Sequence, residues 1–213
     1  IAFSPFQIKS ATGNNGEFAP ENPDIRYSKQ SKDSSNLALS DKAVYGMVAE
    51  GKSSVEILNF IASASRNPFS RQLAKLLIKT GINPKVVAGT ADGWKFNTGN
   101  DKRYAAAYNP KSDTTALFRP ASAERNFLHE SVHAATIRAL EKKGLASAQM
   151  NALFKHVKNS GALKGMYGMS NVDEFVAEAF TNPKFQAALK NVKAPVSTSS
   201  LGSAWHWFVR VVR

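Results

Sequence analysis

The sequence predicts an α+β protein, mostly helical, with a small mixed or antiparallel sheet lying before one central helix. Three observations carry this expectation. Apolar residues recur at three- and four-residue intervals in blocks on both sides of the chain's middle, the period of helices with one buried stripe. Between those blocks lie short stretches with strand character, set off by Asn, Pro, Ser and Asp in turn order. Finally, Phe127 to Thr136 reads as helix and carries His129, Glu130 and His133 in the spacing HExxH.

Composition narrows the chemistry. With 213 residues, 43% of them hydrophobic, the chain can bury a real core, as one domain with an appended arm. It contains no cysteine, which excludes disulfide frameworks, cysteine nucleophiles and thiolate metal sites. Any metal must then be held by histidine and carboxylate. No apolar run approaches the roughly 18 residues of a membrane span. The start, Ile1 to Pro5, has neither the charged nor the apolar region of a signal peptide, so localisation is left open. The formal charge is +12, with five Lys or Arg and no acid from Ala179 to Arg213. Such a balance favours nucleic acid, anionic membrane or acidic protein as a partner, and is equally the mark of a solvated basic surface.

Residues 1 to 40 are rich in Asn, Ser, Gly and Pro, and only Phe3, Phe6, Ile8, Phe18, Ile25 and Tyr27 could anchor them. They read as an extended arm or linker, ordered in places at most. Residues 41 to 213 form the expected domain. A first helix starts near Ser40 and Asp41, with Ala43, Val44, Met47 and Val48 on one face. A second starts near Ser54, and a third runs from Pro68 to before Gly81. The third pairs an apolar stripe (Phe69, Leu73, Leu76, Leu77) with a basic ridge of Arg71, Lys75 and Lys79. Strands are expected at Pro84 to Ala88, Arg103 to Tyr108 and Thr114 to Phe118, the last two around the turn residues 109 to 113. Gly89 to Asn100 reads as loop or irregular strand.

The central helix should span Ser122 to Lys143, with Leu128, Val132, Ala135, Ala139 and Leu140 facing inward. His129 and His133, one turn apart, stand on the same face, so both imidazoles can reach one metal ion with Glu130 beside its open side. A surface helix that merely carries these residues is the plain alternative. A further helix covers Ser147 to Lys158, and its His156 sits among lysines as a surface residue.

A catalytic zinc needs a third protein ligand. No histidine follows His133 at the short spacing some peptidases use, which leaves a glutamate from a later helix. The candidate helix is Asn171 to Phe180, where Glu174 and Glu178 share a face at i and i+4. Exposed, two like charges there repel. With one carboxylate on Zn²⁺ and the other orienting a ligand histidine, the pair is stabilised. Just upstream, Gly165 to Ser170 holds Tyr167, a phenol able to donate to the oxyanion of a tetrahedral intermediate, though on its own an ordinary loop aromatic.

Two resemblances add to these readings. Gln7 to Gly16 followed by Asn22 to Ser28 resembles a junction in very large phage and prophage polyvalent proteins, implying a piece of a longer polyprotein-like chain. A sheet among helices ahead of the HExxH helix is the order of zincin peptidases. More specifically, His129-Glu130-Ser131-Val132-His133, then Tyr167-Gly168 and Glu174 to Phe180, resembles the catalytic half of anthrax-lethal-factor-like metallopeptidases, which are gluzincins. The resemblance covers roughly residues 120 to 190. It implies His129, His133 and Glu174 as zinc ligands, Glu130 as general base, Tyr167 as oxyanion donor and Glu178 as an acid supporting the ligands.

The expected function is therefore a zinc-dependent endopeptidase, phage- or prophage-encoded, with Zn²⁺ as cofactor. Its substrate is a polypeptide, either its own polyprotein or a host protein. One of the two strands preceding the central helix, with Thr114 to Phe118 as the candidate, is the expected exposed edge on which an extended peptide adds. Two alternatives come from other classes. One is a basic, phage-associated nucleic-acid-binding or structural protein with an inactive or structural zinc site. The other is a membrane-acting toxin using Leu201 to Arg213 as an interfacial segment, a stretch that otherwise packs on its own domain.

Overall fold

The computed structural model describes residues 26–29, 39–89, 104–142, 144–194, 203, 204 and 208. The chain divides into two compact units, one reaching Ala135 and the other starting at Thr136. The turns of the arm, the stretch 90–100 and most of the 201–213 segment lie outside the described residues.

The first unit opens with a short strand, β1 (Arg26–Lys29), supplied by the arm. Three helices follow, α1 (Leu39–Ala49), α2 (Ser54–Ala64) and α3 (Pro68–Lys79). α1 starts at Leu39, so Ser40 and Asp41, expected as its cap, lie in its first turn, whereas α2 and α3 begin where their sequences say they should. Ser53 caps α2 in a full capping box: its hydroxyl accepts from the Glu56 N–H, and the Glu56 carboxylate accepts from the Ser53 N–H at 2.8 Å. Asn67 caps α3 by accepting from the Phe69 N–H at 3.0 Å, with Pro68 at the first helical position. Gly81, at φ +72°, takes the left-handed turn that ends α3. α2 packs along α3, and their buried residues, Ile57, Leu58 and Ile61 with Leu73, Ala74 and Leu77, form the core of this helical layer.

The sheet has the strand order β1-β3-β4-β2, with β2 at Lys85–Ala88, β3 at Tyr104–Asn109 and β4 at Thr114–Leu117. β3 and β4 form an antiparallel hairpin with Ala106 opposite Leu117 and Asn109 opposite Thr114. Its turn is held locally: Asn109 Oδ1 accepts from the Lys111 N–H, and the Tyr108 hydroxyl donates to Asp113, which sits at φ +46°. β2 joins β4 in parallel, and β1 joins β3 antiparallel with an irregularity between Ser28 and Lys29. The sheet is thus mixed. Ala105, Ala106, Ala107 and Tyr108 are all buried in succession, so both faces of β3 are covered.

This order corrects one expectation. Thr114 to Phe118 does not form an exposed edge, because β4 is bonded on both sides, to β3 and to β2. The terminal strands among the described residues are β1 and β2. The cause is the parallel return of β2, whose short apolar run carries no sequence signal of its pairing partner.

The central helix, α4, spans Ala123–Glu141, within the expected bounds. Its start is anchored from a distance: the Glu124 N–H donates to Asp41 Oδ1 at 3.0 Å, and the Ser65 hydroxyl donates to Glu124 Oε1 at 2.8 Å.

The second unit holds α5 (Leu145–Ser160), a 3₁₀ turn at Tyr167–Met169, α6 (Val172–Thr181) and α7 (Pro183–Lys190). Gly161, at φ +70°, closes α5. Phe175 lies at the centre of the aromatic core, edge-to-face with Phe154, Phe185 and Phe208 at ring separations of 5.6, 5.5 and 6.3 Å. Phe208 also meets Phe180 and is buried, so this point of the 201–213 segment packs onto its own unit. Among the described residues no helix is long and apolar enough to cross a membrane.

Candidate metal centre

The middle of α4 departs from a surface helix in one respect. From Asn126 to His133 eight consecutive residues are buried, more than two full turns. An amphipathic helix exposes one side; here the whole circumference is enclosed, including His129, Glu130, Ser131 and His133. The inward stripe read from periodicity holds only partly, since Leu128 and Val132 are buried but Ala139 is exposed. Burying that many polar groups is costly unless each meets a partner or a metal. Ser131 returns its hydroxyl to the Phe127 carbonyl at 2.7 Å. The imidazoles of His129 and His133 lie with centroids 4.9 Å apart and planes at 73°. They therefore stand side by side on one face, as the four-residue spacing requires.

α6 is enclosed in the same way, with Val172 to Ala179 all buried. Asn171 fixes its start by accepting from the Glu174 N–H at 2.9 Å, placing Glu174 in the first turn, where the helix dipole favours a carboxylate. Glu178 lies one turn on, and its Oε2 accepts from the Asn182 side-chain amide. The oxygen of the same amide accepts from the N–H groups of Lys184 and Phe185, so Asn182 joins the end of α6 to the start of α7.

Tyr167 sits half-buried in the 3₁₀ turn that packs against α6. The turn is closed by the Ser170 N–H and hydroxyl, which donate to the Tyr167 carbonyl at 3.0 and 2.6 Å. Gly168 is what lets it lie so close. A Cβ there would stand 2.7 Å from the Phe185 ring and 3.0 Å from Glu178 Cβ.

The predicted ligands are brought together. One ligand atom from each of His129, His133 and Glu174 lies within 4.8 Å of the others, and all three residues are buried. Two neutral imidazoles and one carboxylate make a donor set that could hold a divalent first-row metal ion. Glu130, completely buried, follows His129 directly. His156 stands elsewhere: its Nε2 is 2.8 Å from the Lys193 carbonyl, and it is no part of the metal-ligating group.

Several residues that shape the site escaped sequence reasoning. α7 was readable from Asn182-Pro183 followed by Phe185 and Leu189 at helical spacing. Gly168 had no signal beyond being a glycine. The link between Asp41, Glu124 and Ser65 joins residues 83 and 59 positions apart and leaves no local pattern. Burial raises the Asp41 carboxyl above its usual value; hydrogen bonds from the Glu124 and Ser122 N–H groups oppose this, and the neighbouring Glu124 carboxylate adds to it.

No family model, curated protein or solved structure matches the chain.

Proposed function

We propose that the protein is a zinc-dependent endopeptidase of the gluzincin type. The observation that carries this reading is the buried group of His129, His133 and Glu174, with Glu130 adjoining the first histidine. Zinc bound by those three residues would supply the Lewis acidity that makes water a competent nucleophile near neutral pH. Glu130 accepts the proton that water gives up and later delivers it to the leaving amine. Its enclosure suits that work, because a carboxylate shielded from bulk water holds and returns a proton within the site. The Tyr167 hydroxyl donates to the developing oxyanion. Glu178 supports the ligand helix through its tie to Asn182.

The decisive experiment pairs metal analysis with turnover. Wild type should carry about one zinc per chain and cleave peptides in a proteome-derived library. His129→Ala should lose the metal and the activity together. Glu130→Gln should keep the metal and lose about 10²–10⁴-fold in turnover. Undiminished cleavage by Glu130→Gln would remove Glu130 from the mechanism. Zinc without cleavage in the wild type, on any peptide tested, would favour a structural metal in a basic phage-associated protein.

A further inference from the structure

Between Leu145 and Lys193 the chain has six lysines, three acids and no arginine, so its formal charge is +3. The fold separates the two signs completely. Lys155, Lys158, Lys164, Lys184, Lys190 and Lys193 are all exposed, whereas Asp173, Glu174 and Glu178 are all buried in α6. The surface of this stretch therefore carries six cations and no anion. The metal-ligating helix takes every acid inward and leaves the outside positive.

The cations are also grouped. With 3.6 residues per turn, Lys155 stands opposite the buried stripe of Met150, Leu153 and Val157 on α5, with Lys158 on one flank and His156 on the other. The bond from His156 Nε2 to the Lys193 carbonyl sets Lys193 on that second flank. Lys155, Lys158 and Lys193 thus form a band across the solvent side of α5.

We propose that this band is a docking surface for duplex nucleic acid, held through its phosphates and without sequence preference. Lysines act as point charges on phosphate, and displacing condensed counterions supplies the affinity. Single strands need exposed aromatic platforms for the bases, and no aromatic residue from 145 to 193 is in the exposed class. An anionic membrane would need apolar side chains to insert beside the cations. The exposed large apolar residue of α5 is Leu145, ten residues and about 15 Å along the helix from Lys155.

The test is fluorescence anisotropy of the full chain with a labelled 25-base-pair duplex, across a salt series. Three species are compared: wild type, Lys155→Glu/Lys193→Glu, and a charge-matched control, Lys75→Glu/Lys79→Glu, on α3. The first double variant should bind at least about 10-fold more weakly at low salt. Its plot of log affinity against log salt should be shallower by about 0.9 for each phosphate that the protein no longer neutralises. The control should stay within about twofold of wild type. Circular dichroism and zinc content should be the same for all three species. Absence of duplex binding by the wild type overturns the proposal. So does equal weakening in the control, which would mean diffuse charge, or tighter binding to a single strand of the same length. Binding to vesicles of anionic lipid in place of the duplex overturns it as well.

Discussion

At the scale of single residues, Gly168 shows how little space the Tyr167 turn leaves. A methyl group at this position meets the Phe185 ring at 2.7 Å, so either ring or turn must yield. In the zinc peptidase proposed above, Gly168→Ala should leave zinc content unchanged and lose up to about 10²-fold in kcat, the effect of moving a reacting group by about an ångström. Adding Phe185→Leu should recover part of the loss by making room, which a general folding defect would not allow. Tyr167→Phe, without the hydroxyl, should lose about 10²–10³-fold in kcat with metal content unchanged. Unchanged kcat in Tyr167→Phe would exclude the phenol as an oxyanion donor.

Elements bring their own predictions. The capping box of α2 is worth about 1 kcal/mol, so Ser53→Ala should destabilise the protein by that amount in urea unfolding at pH 7. Hydrogen bonds from the Ser53 N–H and hydroxyl hold the Glu56 carboxyl below its usual 4.5. A lowered folded value means stability fully present above pH 4.5 and lost as pH falls from there through the folded value. The Ser53→Ala deficit should accordingly shrink at pH 3, and a constant deficit would contradict the reciprocal cap. Asp41 has the opposite sign. Its folded carboxyl is raised from 3.8, chiefly by burial, so the contribution is present at low pH and lost as pH rises through the folded value. Asp41→Asn, which keeps an oxygen for the Glu124 N–H, should raise the Tm at pH 7. That gain should close below pH 4.

The elements also show what could be read in advance. Caps such as Ser53, Asn67 and Asn171 are local chemistry, and each marks a helix start in the chain. The candidate metal-holding group was legible for a related reason, since His129 and His133 lie on one helix and Glu174 begins a helix with its own cap. The strand order was not. β2 joins β4 in parallel across a long connection, and nothing in Lys85-Val86-Val87-Ala88 names its neighbour. The inward direction of the α4 histidines was legible beside Leu128 and Val132, but the enclosure of every residue from Asn126 to His133 was not, because a helical period announces one buried stripe and no more.

For the whole molecule, α4 and α6 each enclose polar residues, and a metal held by His129, His133 and Glu174 as proposed would couple folding to its binding. Binding that favours the folded state stabilises it by mass action, about 2.7 kcal/mol when free ligand is one hundred times its Kd. Chelation should therefore lower the Tm of the wild type, and added zinc should restore it. His129→Ala should show neither response. A wild-type Tm indifferent to chelator would argue that nothing of consequence is held by His129, His133 and Glu174.

The strand β1 has a practical meaning for any truncation of the arm. Arg26 to Lys29 pairs with Tyr104 to Tyr108 and caps that side of the sheet. A product trimmed ahead of Arg26 keeps its outer strand. One trimmed after Lys29 leaves the N–H and C=O groups of β3 bare, a template for any extended chain that passes. The shorter product should self-associate, or capture a foreign strand, at concentrations where the longer one stays dispersed. The position of a truncation relative to these four residues would then decide whether the domain is well behaved or adhesive.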